Sequence, residues 1–183
     1  VIATAIGWLF IYTIKLMKFL FKKVVIAIYI KMALGGVMLG VLALYVPITR
    51  YFSHIQLNEL LTHTLPLTLL IIILLVKILS VSITVTSGWR GGFIIPLFFI
   101  GATLGLIIYK IVPGQNMALI LVSCMAALNA CVTRTPMSTI ILLSTMTGFD
   151  HFIPIMFASL TGFFLAPRTP LIRAQLGEAQ ADE

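Results

Sequence analysis

The sequence predicts an all-α, polytopic membrane protein built from tilted and broken helices. Of its 183 residues, 61% are hydrophobic and 9% are charged, whereas a typical soluble domain is roughly 25% charged. Several stretches without a charged residue approach the ~20 apolar residues that a helix needs to cross a bilayer. The short alternating segments of a membrane β-barrel are absent, so the need to satisfy backbone hydrogen bonds in lipid favours helices.

The predicted spans follow one another along most of the chain. Residues 1–21 are apolar and then give way to lysines, as expected of a helix that emerges from the membrane. The sequence begins with Val1 already inside an apolar run, so we expect a membrane domain over residues 1–172 that is truncated at its N-terminus. The later charge-free stretches are residues 32–49, 60–76, 91–109, 111–133 and 151–167.

The net charge of the chain is +7. Five of its basic residues lie close together near the start of the chain: Lys15, Lys18, Lys22, Lys23 and Lys31. By the positive-inside rule this segment is predicted to be cytoplasmic. A basic patch can also bind anionic lipid headgroups, and contact with the bilayer surface is expected here. We expect no nucleic-acid partner.

The second predicted helix carries Gly35, Gly36 and Gly40, a spacing of small residues that lets helices pack closely in membranes. A polar loop follows, in which His54, Glu59 and His63 have no spacing typical of a metal site. Residues 65–86 are predicted to form a helix that contains Lys77. This charge either faces protein or water, or extends to the membrane interface, and the sequence leaves both open.

The remaining predicted helices are short and interrupted, with breaks at residues 112–116, 133–136 and 147–150. Helices that end within the membrane are typical of transporters. Cys124 and Cys131 have no histidine or acid between them to complete a metal site, so we interpret them as small core residues. No metal or cofactor is expected. Residues 173–183 are predicted to be a polar cytoplasmic tail.

The most informative segment runs from Thr86 to Pro96, where glycines separate two apolar helices. A helix is predicted to begin near Phe93, with Pro96 in its first turn, where the missing N–H has no helical partner to lose. The free N–H groups of such a helix start carry positive partial charge and bind anions. On these residues alone, a helix linker with glycines for close packing remains an alternative.

The distribution of acidic residues agrees with an anion site. Cation and proton relays place Asp or Glu inside the bundle. Here Glu59 lies in the polar loop, Asp150 lies at a break, and the other three acids, Glu178, Asp182 and Glu183, lie in the tail. No acid lies inside a predicted span, which argues against a cation-driven carrier of another fold.

The run Gly91-Gly92-Phe93-Ile94-Ile95-Pro96 resembles the Gly-x-Phe-x-Pro region of the CLC chloride channel and transporter family. Arg134-Thr135-Pro136, Met146-Thr147-Gly148 and Ile153-Pro154 follow the order of that family's later helices. The chain is similar to the second of the family's two inverted repeats, and the first repeat's motifs are not found. The resemblance implies chloride or similar anion transport, a bilayer location in the cell membrane, a homodimer and a missing first half of the same protein.

Carried over by position, the resemblance places the two anion-binding backbone N–H groups on Phe93 and Ile94, within a motif that includes Gly91, Gly92 and Pro96. Two departures stand out. Ile94 occupies the position of the motif's aromatic residue, and Ile172 occupies the position of the family's pore tyrosine, so a hydroxyl donor is lost. The resemblance leaves channel and proton-coupled exchanger open.

The sequence bears on two further functions. An intramembrane enzyme is disfavoured because the sequence has no His-Glu-x-x-His, no Gly-x-Ser-x-Gly and no pair of helical aspartates. A noncatalytic fragment that only assembles with other subunits remains an alternative to a transport role.

Overall fold

The computed structural model describes residues 1–23, 28–46, 65–89, 92–112 and 114–167, and these residues are almost entirely helical. The helices are α1 (Ile2–Lys23), α2 (Ile28–Tyr45), α3 (Leu67–Thr86), α4 (Ile94–Ile111), α5 (Met117–Thr133), α6 (Pro136–Thr147) and α7 (Phe152–Phe164). A short 3₁₀ turn, Phe149–His151, precedes α7. No strand occurs in the part of the chain that the structure describes, so the all-α prediction is confirmed.

Among the described residues, three helices, α1, α3 and α4, are long and apolar enough to cross a membrane. The predicted span over residues 111–133 was too long, because the chain turns at Gly114 and α5 begins at Met117. Asn116 caps this start, since its side chain accepts a hydrogen bond from the Ala118 N–H at 3.0 Å. The helices after this turn are short, as the sequence predicts.

The closest contacts between helices at the centre of the bundle are made at glycines. α4 packs on α5 and α5 packs on α7 more extensively than any other described pair of helices. A Cβ added to Gly101 would lie 2.6 Å from the Met125 Cα, and one added to Gly162 would lie 2.3 Å from the Ala127 carbonyl oxygen. These helices therefore approach each other backbone to backbone, as membrane helices do.

The outer surface of the described helices is strongly apolar. Large apolar side chains project outward on several helices: Leu44 is 74% exposed, Ile153 64% and Phe157 61%. A soluble monomer rarely exposes contiguous apolar surface on this scale. Close helix contacts at glycines, together with large apolar side chains on the outer surface, are the arrangement expected of helices surrounded by lipid.

Lys77 of α3 is turned into the protein. Its side chain is 4% exposed, and its Nζ lies 5.1 Å from the centre of the Phe99 ring. A cation over an aromatic face is stabilised by the ring's negative face. Of the two interpretations that the sequence left open, the one in which Lys77 faces protein is therefore correct.

Cys124 and Cys131 are both buried and free, in keeping with their interpretation as core residues. Cys131 lies where α1 crosses α5, since a Cβ on Gly7 would come 2.9 Å from its Sγ. Across the described residues, no three His, Cys, Asp or Glu side chains group together as metal ligands would. The polar loop with His54, Glu59 and His63 lies outside the described residues.

Candidate functional site

The start of α4 is the predicted site, and the structure begins this helix at Ile94, one residue after the predicted position. Phe93 is the N-cap residue, and no side chain caps the helix there. The first hydrogen bond of the helix runs from the Leu97 N–H to the Phe93 carbonyl at 3.0 Å. The N–H groups that precede Leu97 therefore have no carbonyl of this helix to bind.

Pro96 reduces this set of donors. It occupies the third position of α4 and has no N–H, so the first turn offers the N–H groups of Ile94 and Ile95, and the N-cap adds that of Phe93. Because Pro96 stands where an N–H would lack a helical partner, it costs the helix no hydrogen bond. The motif thus leaves three adjacent backbone donors at the positive end of the helix.

The start of α4 is open at the surface of this chain. Gly92 is exposed with no heavy atom within 4 Å of a Cβ added to it. Ile94 is 38% exposed and Ile95 39%, while Phe93 is partly buried. The backbone donors are therefore reachable, and their surroundings are apolar.

Within the described residues, no acidic side chain lies at the start of α4 to oppose the helix dipole. The first turn of α4 has no acidic residue. Asp150 is the single acidic side chain within the described ranges, and it is exposed in the 3₁₀ turn before α7. The last turn of α4 carries Lys110, which donates to the Leu65 carbonyl. A basic residue at the C-terminal end of a helix is stabilised by the negative end of the helix dipole, and Lys110 has this position in α4.

The packing of α4 on α5 places the start of α4 at the same height along the helix axes as the end of α5. Gly101 contacts Met125, and Gly105 contacts Leu121. The contact partner on α5 therefore moves four residues towards the N-terminus when the position on α4 moves four residues towards the C-terminus. The two helices are therefore antiparallel. Continued to the start of α4, this register places Phe93 beside the last turn of α5, which ends at Thr133.

The break between α5 and α6 lies at this same level and is held by polar side chains. Arg134 adopts a left-handed conformation, with φ of 57°, and α6 begins at Pro136. The Asn129 side chain donates to the Thr139 Oγ1 at 3.0 Å, and the Thr139 hydroxyl donates to the Thr135 carbonyl at 2.9 Å. The chain thus reverses direction through a fixed turn.

Thr133 completes this polar cluster. Its hydroxyl donates to the Asn129 carbonyl at 2.8 Å and accepts from the Thr135 hydroxyl at 2.9 Å. Asn129 and Thr139 were not predicted as site residues. The sequence signal that points to them is an amide in an otherwise apolar helix, because a buried amide needs a hydrogen-bond partner.

A cavity of about 320 Å³ lies elsewhere, against α1, α4, α5 and α7. It is lined by Ala3, Ile108, Cys124 and Ala127 among others, and these are mainly small or apolar side chains. Ile108 is fourteen residues beyond Ile94 on α4, roughly 20 Å along the helix axis. This cavity is therefore separate from the donors at the start of α4.

Two of the predicted site residues, Gly91 of the motif and Ile172 at the pore-tyrosine position, lie outside the described residues. The start of α4 is thus represented by Gly92, Phe93, Ile94 and Pro96.

A family model described as "Voltage gated chloride channel" matches residues 1–167 of the chain. The chain belongs to this family. The match covers the seven α-helices of the described residues, so the resemblance predicted from the sequence motifs is confirmed. The family and the outward-facing apolar helices identify the chain as an integral membrane protein.

The relatives are similar over most of this chain but are much longer. "Uncharacterized protein MJ0305" of Methanocaldococcus jannaschii is 28% identical over 134 residues, which are 73% of this chain and 34% of that protein. A "Putative chloride channel protein ClcB-like" of Ralstonia nicotianae is 29% identical over 147 residues, 76% of this chain and 34% of the relative. A "Voltage-gated ClC-type chloride channel ClcB" of Citrobacter koseri is 30% identical over 130 residues, which are 68% of this chain and 31% of that protein.

The chain thus spans about a third of the length of these relatives. No solved structure matches the chain.

Proposed function

We propose that this chain supplies one half of a pathway that carries chloride or a similar small anion across the membrane. The observation that supports this most directly is the start of α4, where Phe93, Ile94 and Ile95 present backbone N–H groups without a side-chain cap. A helix start of this kind binds anions through its N–H groups and its dipole. Membership of the voltage gated chloride channel family supports the same function.

Phe93 and Ile94 are the proposed anion-binding positions, with the backbone N–H as the binding group. A backbone donor does not depend on the side chain, so the isoleucine at the aromatic position does not remove it. The apolar side chains around these donors lower the local dielectric, which strengthens an interaction between an N–H and an anion. No catalytic role is proposed for any residue.

The donors are open on one side, and this favours a pathway completed by further protein. Ile94 and Ile95 are apolar and more than a third exposed, and a helix start in lipid needs partners for its N–H groups. We propose that a first half, related to this chain as an inverted repeat, covers that side. We propose further that the assembled protein is a homodimer in the cell membrane with the tail in the cytoplasm.

Chloride efflux from liposomes that hold the complete protein tests this function. Chloride movement is recorded together with internal pH, and protein-free liposomes give the background. Chloride efflux with stoichiometric proton movement indicates an exchanger, and efflux without protons indicates a channel or an uncoupled carrier. Efflux no faster than from protein-free liposomes overturns the proposal.

A further inference from the structure

The second half of α1 projects beyond the part of the helix that packs in the bundle. All of the buried residues of α1 lie between Ala3 and Ile14, and every side chain of residues 15–21 is exposed or half-buried. Leu16 and Phe19 are each 56% exposed. Residues 15–21, the basic segment of α1, therefore present their side chains to the surroundings of the described bundle.

Contacts of the first half of α1 hold this segment in a fixed orientation. A Cβ added to Gly7 would lie 2.9 Å from the Cys131 Sγ, and the Trp8 Nε1–H donates to the Leu165 carbonyl at 2.9 Å. Lys15 follows Trp8 by seven residues, two turns along the same helix face. Because Trp8 lies on the outer surface, the same face carries Lys15 outward.

The positive charge of the basic segment has no counter-charge in the described part of the chain. Lys15 and Lys18 are both exposed, and neither forms an ion pair with a described residue. Asp150, the single acidic side chain in the described ranges, lies in the 3₁₀ turn before α7. A negative partner for these two lysines must therefore come from elsewhere.

The basic segment combines its lysines with large apolar side chains, since Leu16, Phe19 and Leu20 are all exposed beside them. A helix with this mixture lies in a membrane interface, where apolar side chains enter the acyl region and lysines reach the headgroups. A further protein surface fits the segment less well, because lysine is depleted in the cores of protein interfaces. The composition therefore favours lipid as the occupant.

We propose that the basic segment of α1 binds anionic phospholipid in preference to zwitterionic phospholipid, with Lys15 and Lys18 contacting the headgroup. The positive-inside rule assigns the lysine-rich end of α1 to the cytoplasmic side, and the cytoplasmic leaflet is the one that carries anionic lipids. This inference concerns the lipid contact and does not depend on anion transport.

Quenching by labelled lipids tests the contact at one position. The complete protein carries a bimane label at Leu16→Cys, with its other accessible cysteines replaced by serine, while Cys124 and Cys131 are buried and stay. It is reconstituted in phosphatidylcholine that contains nitroxide-labelled phosphatidylglycerol or nitroxide-labelled phosphatidylcholine. The two quenching curves give the relative binding constant of the anionic lipid, which we expect to be about fivefold, the effect of about one lysine near a membrane surface.

A label at Leu44→Cys is the control for position. Leu44 is also highly exposed, but it lies thirteen residues beyond Lys31 on α2, roughly 20 Å along the helix axis. We expect phosphatidylglycerol and phosphatidylcholine to quench this label equally.

Substitutions test whether the two lysines cause the preference. Lys15→Gln with Lys18→Gln is expected to lower the relative constant at position 16 to about 1–2, whereas Lys15→Arg with Lys18→Arg keeps the charge and the preference. Lys110→Gln is the matched control, because it removes an exposed lysine at the end of α4. It is expected to leave the constant unchanged.

Several outcomes would overturn the proposal. A label at position 16 that neither lipid quenches would mean that protein covers the segment. Equal quenching by the two lipids, or a preference that survives the glutamine pair, would show that these lysines do not select anionic lipid. Loss of the preference on addition of soluble glycerol phosphate would indicate a site for free phosphate instead.

Discussion

Replacement of Phe93 by proline is expected to lower chloride transport by about 10- to 100-fold, because a hydrogen bond to a charged group contributes roughly 1.5–3 kcal/mol. Proline removes the N–H at this position and leaves the rest of the backbone in place. Proline fixes φ near −65°, whereas Phe93 has φ of −102° as the N-cap, so the substitution also rotates the backbone at this one residue. The residue before it is a glycine, which has no Cβ to clash with the proline ring.

Phe93→Ala is the matched control for this prediction. It removes the aromatic side chain and keeps the N–H, so transport is expected to stay within a few-fold of wild type. The measurement is the initial rate of chloride efflux per molecule of reconstituted protein. Equal rates for Phe93→Pro and Phe93→Ala would mean that this backbone donor does not bind the transported anion.

Replacement of Gly162 by alanine is expected to give the largest loss of stability in the described part of the chain. The added Cβ would lie 2.3 Å from the Ala127 carbonyl oxygen and 2.9 Å from the carbonyl carbon. These are backbone atoms of α5, so α7 must move away from α5 to make room. Overpacking of this kind costs about 1–3 kcal/mol or more.

The measurement is the thermal midpoint of detergent-solubilised protein, followed by loss of the monodisperse size-exclusion peak. A cost of 1–3 kcal/mol lowers the midpoint by several degrees in a chain of this size, at about 2–4 °C per kcal/mol. Gly40→Ala serves as the control because its Cβ meets no atom within 4 Å, and its midpoint is expected to be unchanged or higher. A Gly162→Ala midpoint at or above wild type would contradict the close packing of α5 and α7.

Local sequence rules were sufficient to predict the start of α4. Glycines before Phe93 and Pro96 just after it are strong signals for a helix beginning, and the structure begins α4 at Ile94. Composition was likewise sufficient for the all-α membrane fold. Both predictions depend on residues close together in the chain.

The orientation of Lys77 could not be predicted, because α3 is apolar on every side and its sequence identifies no buried face. The structure buries Lys77 against Phe99, a contact made between two helices. The same holds for Gly35 and Gly40, which look alike in the sequence and differ in what packs on them. The Asn129 to Thr139 hydrogen bond crosses a helix break and depends on how the chain reverses there.

The location of a bound anion tests the central claim most directly. Crystals of the complete protein grown in bromide would show the anion through its anomalous scattering. The proposal predicts a bromide peak at the start of α4, within hydrogen-bond distance of the Phe93 and Ile94 nitrogens. Bromide bound within the protein at other positions, with none at the start of α4, would contradict it.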